Sequence, residues 1–331
     1  MKPDVTLKKL SDMLNLSIST VSRALKNHPD ISQETRVKVK ELAAVLEYEP
    51  NAYAIHLRTN NSKEFGIIVP TISNYFYHSF ISSLEEEARH NGYSIIILQS
   101  GDDPLIEQEN LKKCKQNRIS GIFVALTSKT EDIQGFLKLE SQHIPVIFFD
   151  KVPDFAACNK VCVADGLAAS LAAEALLLKK KKMVLAIFGN RNLSITKRRL
   201  ISFKAAFEKY DADTQIIFRH ADNMEQACEI TEETFSQPKK PDAVFCMSDE
   251  ILVGMMKAAQ KLKLKIPDEV GIITISDGFM PNLYYPEIHY TETSGYKLGK
   301  IAFSRMMACI AGSTFAQELI ADSKLIEGGS L

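Results

Sequence analysis

The sequence predicts a small all-α head followed by an α/β body built as two doubly wound parallel-sheet subdomains. Residues 5 to 47 repeat their apolar positions at helical spacing. From Phe65 onward, short Val/Ile/Phe runs alternate with longer helical stretches, the pattern of parallel strands covered on both faces. That alternation continues for about 270 residues, large for one sheet, and a polar break, "DFAACNK" at 154–160, separates two comparable halves.

In the head, Thr6 can cap a first helix whose Leu7, Leu10 and Leu14 share one face, and "NLS" breaks it. Ser17 can cap a second helix with Ile18, Val21 and Leu25 turned inward and Ser19, Thr20, Ser22, Arg23 and Lys26 outside. A third, from Ser32, carries Val39, Leu42, Ala43 and Leu46 at helical spacing, so three thin stripes share one core. Two helices about a tight turn with a bracing third is the helix-turn-helix plan. A helix face of short hydroxyls and Arg suits the major groove, where Arg pairs with guanine and Ser or Thr with either base edge; the same face also fits plain solvation. Pro50 stops the third helix, and "NAYAIHLR" can form two helical turns, too short to stand alone but able to fold on a partner.

The strands of the body are read as "FGIIVP", "SIIIL", "GIFVAL", "PVIFFD", "MVLAIFG", "TQIIF", "AVFCM" and "VGIITI". Ligands of such sheets bind beyond the strand C-termini, here facing the cleft between the halves.

Composition bounds the function. With 45% hydrophobic and 24% charged residues among 331, the chain has ordinary folded composition. Forty Lys and Arg against 41 Asp and Glu leave a net charge of -1, so a nucleic-acid site must come from local charge placement. The start "MKPDVTLKKLSDML" lacks the apolar run of a signal peptide, and no long apolar segment follows, so a cytoplasmic protein without a membrane partner is expected. Cysteines 114, 158, 162, 228, 246 and 309 form no CxxC pair and are expected as buried free thiols, and the histidines form no HExxH cluster. No GxxxxGK[ST] loop, GxGxxG turn or GxSxG elbow occurs, which argues against an enzyme and leaves no cofactor or metal expected.

Head, hinge and body together resemble the lactose/galactose-repressor family of bacterial transcription regulators. The match rests on "STVSRAL", "ISQETR" and "Y.PN.YA..LRT" at the family's spacings, and continues through "GIIVPTISNYFYHSFISSLEEEARHNGYSIII", "DGLAASLAAEALL" and "SDEILVGMMKAAQKLKLKIPDEVGIITISD". The resemblance implies a homodimer that reads a palindromic operator in double-stranded DNA, with domains at 1–49 (helix-turn-helix), 50–64 (hinge) and 65–331 (effector binding and dimerisation). The body would have the architecture of type I periplasmic binding proteins, one half formed by about 65–162 and 293–325, the other by about 163–292. It places Ile18, Ser19 and Arg23 at base-reading positions, with Thr20 and Ser22 nearer the backbone and Thr6 also on the DNA. Ile18 reads shape or a thymine methyl, and Arg23 carries most direct readout. In the hinge, Asn51, Ala54 and Arg58 would meet DNA and Leu57 would wedge into the minor groove.

By the same resemblance, a small-molecule effector, a sugar or sugar derivative, would meet Tyr75, Phe76, Asp150, Arg199, Ser248, Asp249, Ser276 and Thr293. Asp249 also fits a simple capping role, since "SDE" precedes an apolar helix. Many sugar-responsive members carry Asn at position 248, a carboxylate at 276 and often Gln at 293, whereas this chain has Ser248, Ser276 and Thr293. Carboxylate recognition of adjacent hydroxyls is therefore expected to be weak, and Arg199 points to a phosphorylated or acidic sugar. A solute-binding protein feeding a transporter would fit the body alone, and an α/β enzyme with a DNA head would need a catalytic constellation that these residues do not form.

Overall fold

The structure, a computed structural model, describes residues 5–49, 62–210 and 213–331. It divides into two compact units between Ser62 and Lys63. The hinge positions Asn51, Ala54, Leu57 and Arg58 lie outside the described residues.

Among the described residues the first unit holds three helices, α1 (Leu7–Leu14), α2 (Ile18–Leu25) and α3 (Gln33–Val45). Thr6, Ser17 and Ser32 cap them, accepting the backbone N–H of Lys9, Thr20 and Thr35 at 3.2, 3.1 and 3.3 Å. Each cap satisfies one donor that the first helical turn leaves unpaired. Leu10, Val21, Ala24, Val39 and Ala43 form the core, with Leu7, Leu14, Leu25, Leu42 and Leu46 packed around it. Ile18 departs from the periodicity reading: it is 48% exposed, and the fully buried Ala24 joins Val21 as the inward pair of α2. The first residue of a capped helix lies at the edge of the apolar stripe, so the stripe passes through 21, 24 and 25 rather than through 18.

The second unit contains two six-stranded sheets. The first is built from β1 (Glu64–Val69), β2 (Ser94–Gln99), β3 (Gly121–Val124), β4 (Val146–Phe149), β5 (Asn159–Val163) and β11 (Glu318–Ala321), in the order β11-β5-β4-β3-β1-β2. All its pairings are parallel. The second contains β6 (Met183–Phe188), β7 (Gln215–His220), β8 (Ala243–Cys246), β9 (Gly271–Ser276), β10 (His289–Glu292) and β12 (Lys324–Ile326), in the order β12-β10-β9-β8-β6-β7. Only β12 runs antiparallel, against β10. Eight helices cover the sheets: α4 (Tyr75–His90), α5 (Pro104–Gln116), α6 (Gln134–Glu140), α7 (Asp165–Leu178), α8 (Ser194–Lys209), α9 (Met224–Phe235), α10 (Asp249–Leu262) and α11 (Gly295–Ile310).

The eight apolar runs read from sequence are β1 to β4 and β6 to β9. The polar break at 154–160 is a correction, because Asn159 and Lys160 open β5, buried inside the first sheet. Asn159 is tolerated there because its Oδ1 accepts Nε of Arg305 on α11 at 2.8 Å and the backbone N–H of Gln317 at 3.3 Å. A buried polar residue costs little once such partners are made. The polar strand β10 and the short β11 and β12 likewise lack an apolar run.

The chain crosses between the sheets three times: from β5 into α7, from β10 into α11, and at Asp322–Ser323 between β11 and β12. Helix α7 packs its alanines and Leu176 on the second sheet, while Leu298, Ala302 and Met306 of α11 pack on the first. Gly295 and Gly299 let α11 lie directly against the backbone of α4 at Phe76 and Phe80. All six cysteines are free thiols, five of them buried.

A Cβ at Gly299 would stand 2.7 Å from the Phe80 carbonyl oxygen and 3.0 Å from the Ser83 side chain. Gly299→Ala is therefore expected to lower stability by about 1–3 kcal/mol despite Ala's better helix propensity, measured by urea unfolding of the full chain.

Candidate functional site

Both sheets have their strand order reversal between the first and third strand of the half, β1/β3 and β6/β8. At such a switch point the loops leave in opposite directions and open a crevice beyond the strand C-termini. A cavity of about 160 Å³ occupies that place. Its walls are the residues that follow β1 (Asn74, Phe76, Tyr77), β4 (Asp150, Lys151), β6 (Gly189, Asn190), β7 (Asp222, Asn223), β8 (Met247 to Ile251), β9 (Ser276, Asp277) and β10 (Thr293).

Of the eight positions expected at the cleft, Phe76, Asp150, Arg199, Ser248, Asp249, Ser276 and Thr293 line this cavity, and Tyr75 does not. Asn74 caps α4 by accepting the Phe76 N–H at 2.9 Å, and the helical turn that follows points Tyr77 inward and Tyr75 away. Tyr75 instead stacks on Phe279, ring centroids 4.6 Å apart and planes 18° from parallel, joining the first half to the loop after β9. Both rings remain exposed.

Asp150 sits just past β4 with φ 55°, a left-handed conformation that Asp tolerates through its short polar side chain. Its Oδ2 accepts the Tyr77 hydroxyl at 2.8 Å. Burial, with the Asp150 carboxylate beside it, holds the Tyr77 phenol well above its ordinary pKa, so Tyr77 stays a donor.

Arg199, on α8, is almost fully buried and already engaged. Nε and a terminal nitrogen both lie 2.8 Å from Oδ1 of Asp165, and the other terminal nitrogen donates to the Met247 carbonyl at 2.8 Å. Burial raises the Asp165 pKa and Arg199 opposes that rise. The guanidinium thus ties α7, α8 and the end of β8 together and offers little to a ligand anion, which counts against the phosphorylated or acidic sugar expected from sequence.

Ser248 and not Asp249 caps α10, its hydroxyl taking the Ile251 N–H at 3.5 Å. The Asp249 side chain is enclosed beside Ser276 and Asp277, and its Oδ1 has no hydrogen-bond partner. Burial pushes this carboxyl up to about 6, against the hydrogen bond from Ser276 that lowers it. Burial also raises Asp277, whose Oδ1 accepts the Gly295 N–H at 2.9 Å. Ser276 is bound locally, its Oγ accepting the Gly278 N–H at 2.9 Å, and the Thr293 N–H donates to the Ser276 carbonyl at 2.8 Å. Carboxylates absent from position 276 therefore enter the cleft from its neighbours.

The residues that sequence reasoning missed, Asn74, Tyr77, Lys151, Asn190, Asp222, Asn223, Glu250 and Asp277, mostly stand within a few positions of a legible strand end. That position was their available signal; Tyr77 also needed the register of α4.

In the head, α2 presents Ile18, Ser19 and Arg23 to solvent, with Thr20 and Ser22 half-buried and Thr6 exposed. The Ser17 hydroxyl lies 2.8 Å from those of Ser19 and Thr20, so the cap network holds them. Arg23 makes no side-chain hydrogen bond or ion pair among the described residues, and its donors are unspent. Among the described residues no helix is long and apolar enough to cross a membrane, and no group of His, Cys, Asp and Glu is placed to hold a metal ion.

Comparison with known proteins gives two family matches. Residues 6–51 match the bacterial regulatory proteins of the lacI family, and residues 62–326 match the periplasmic binding proteins and sugar binding domain of the LacI family. The HTH-type transcriptional regulator RegA of Clostridium saccharobutylicum is 24% identical over 307 residues, 91% of each chain. The ribose operon repressor of Haemophilus influenzae is 27% identical over 305 residues, again 91% of each. A lac repressor dimer bound to operator and the anti-inducer ONPF shares the fold with a TM-score of 0.88 at 19% identity, over 99% of both chains.

Asp249 yields a pH prediction. A carboxyl raised from 3.8 to about 6 holds its proton more tightly in the folded chain. Its favourable contribution is complete below the unfolded value and is lost as pH rises through about 6, a change of roughly 3 kcal/mol. Asp249→Asn should therefore be more stable than the parent at about pH 7.5 and nearly equal to it at about pH 4, read by urea unfolding at both.

Proposed function

The chain belongs to the lacI family of bacterial regulatory proteins, and on that premise we propose that it is a sequence-specific transcriptional repressor whose operator affinity is set by a sugar or sugar derivative bound in the cleft. The observation that carries the reading is the α2 face, where an apolar Ile18, a hydroxyl and an unpaired Arg23 stand exposed on a capped, rigid helix. A guanidinium with no side-chain partner among the described residues is available to guanine in the major groove. The Ser17 cap spends one first-turn N–H of α2, and the remaining N–H groups and the helix dipole can face the phosphate backbone.

The working protein is a cytoplasmic homodimer, because two recognition helices related by a two-fold axis match a palindromic duplex. Domains follow the divisions 1–49, 50–64 and 65–331. The hinge lies within residues 50–62, ahead of β1, and folds on DNA with Asn51, Ala54 and Arg58 against the duplex and Leu57 in the minor groove. Thr6, Thr20 and Ser22 hold the backbone while Ile18, Ser19 and Arg23 meet bases. In the body, Phe76, Asp150, Ser248, Asp249, Ser276 and Thr293 contact the effector, and Arg199 positions the wall they stand on. Effector and operator are coupled because each binds two arrangements of the body with different affinity. The cleft binds and orients its ligand and performs no chemical step on it.

Selection of bound duplexes from a random pool, at two salt concentrations, tests the reading. A palindrome should be enriched at both, with affinity falling steeply with salt. Arg23→Ala should lose about tenfold to a hundredfold on the selected site, and Leu57→Ala should lose the preference for a flexible central step. If both variants bind the selected site as the parent does, the assignment of the head fails.

A further inference from the structure

Taking the cleft as the effector site, the balance of charge on its walls says more about the ligand. Five carboxylates line it, Asp150, Asp222, Asp249, Glu250 and Asp277, against two cations, Lys151 and Arg199. Arg199 is neutralised from behind by Asp165, which is not itself part of the wall. Lys151 acts on Glu250, which is exposed at the rim. The inner carboxylates Asp150, Asp249 and Asp277 are left without an ionic partner at short range, since no ion pair to any of them occurs among the described residues.

Hydrogen bonding to Asp150 and Asp249 is also incomplete. Among the described residues the one side-chain hydrogen bond to Asp150, which lines the cavity, is on Oδ2, and Oδ1 has no side-chain donor. Oδ1 of Asp249 is shut off from solvent and has no partner at all. A buried acceptor without a donor costs the folded chain free energy, and a negative charge costs more unless it is neutralised. A ligand that brings both donors and positive charge relieves these costs.

We propose that the cleft selects an amine-bearing polyol, a sugar or sugar-like solute carrying a protonated nitrogen, over neutral and anionic ones. An ammonium group supplies three donors and one charge in a volume a hydroxyl would occupy. It donates to Asp150 and places a positive charge beside the enclosed Asp249 carboxyl, while the ligand hydroxyls take Ser248 and Asn190. Phe76 supplies a ring face, to which either the apolar side of a sugar ring or the cation itself is attracted. A neutral sugar would cover the same carboxylates and leave their charge uncompensated, and a phosphate ester would add charge of the same sign.

The test is calorimetric titration of the full chain with 2-amino-2-deoxyglucose, 3-amino-3-deoxyglucose and 6-amino-6-deoxyglucose, each against glucose and glucose 6-phosphate. At least one amine should bind about tenfold or more tightly than glucose, the scale of a charge-assisted hydrogen bond, and the phosphate ester should bind more weakly than glucose. Asp249→Asn, checked for an unchanged circular dichroism spectrum, should bring the preferred amine to within about threefold of glucose. Glucose binding as tightly as every amine, the phosphate ester binding best, or no amine binding overturns the proposal. An amine preference that survives intact in both Asp249→Asn and Asp150→Asn overturns it as well. Duplex selection reads the head independently, so failure of the ligand assignment and failure of the regulator reading give different results.

Discussion

Everything in the cleft depends on one geometric constraint, the common polarity of every strand but the edge strand β12. Parallel strands deliver all their C-terminal ends to one edge, and reversing the strand order at β1/β3 and β6/β8 opens a crevice at that edge. Because both halves obey the same rule and the chain crosses between them three times, seven strand ends reach a single cavity. The cavity is therefore a consequence of topology. Its chemistry is decided largely by the residues at each strand end and in the loop or first helical turn that follows, which can change without disturbing the apolar runs that build the sheets.

Within that frame, the Arg199 pair with Asp165 is a structural tie in the wall. Both groups are buried, and the guanidinium also holds the Met247 carbonyl, so the last residue before the α10 cap is fixed from behind. Removing either partner would leave an uncompensated buried charge, a more costly state than having neither. Asp249, one residue after the cap, is thereby set rigidly into the cleft with an oxygen unpaired. A rigid wall that carries a carboxyl without an ionic partner is the arrangement that makes a binding site selective, since its geometry and charge are fixed before the ligand arrives.

The head follows a different economy of structure. Its core is small, and its helices hold their ends through three hydroxyl caps, so little of α2 is needed for packing. Val21 and Ala24 are fully buried, while Ile18, Ser19 and Arg23 are left outside. An exposed Ile beside an unpaired Arg has no role in folding that the packing reveals, which is why this face is the natural place for contact with another molecule.

The sequence by itself determined the existence and type of most elements, because apolar periodicity is a local property: among the described residues, α1 to α3 and eight of the twelve strands are legible as runs and stripes. It also determined the family, through motifs spaced along nearly the whole chain. Tertiary structure decided what depends on distant partners. Strand β5 is polar at its start and is buried only because Arg305, nearly 150 residues away, satisfies Asn159. Tyr75 and Tyr77 are two residues apart and indistinguishable in composition, yet the Asn74 cap and the helical turn send one to Phe279 and the other to Asp150. Likewise the charge of Arg199 could be read from its letter, but whether it was free for a ligand depended on Asp165, 34 positions earlier, which only the packing of α7 against α8 brings within 2.8 Å.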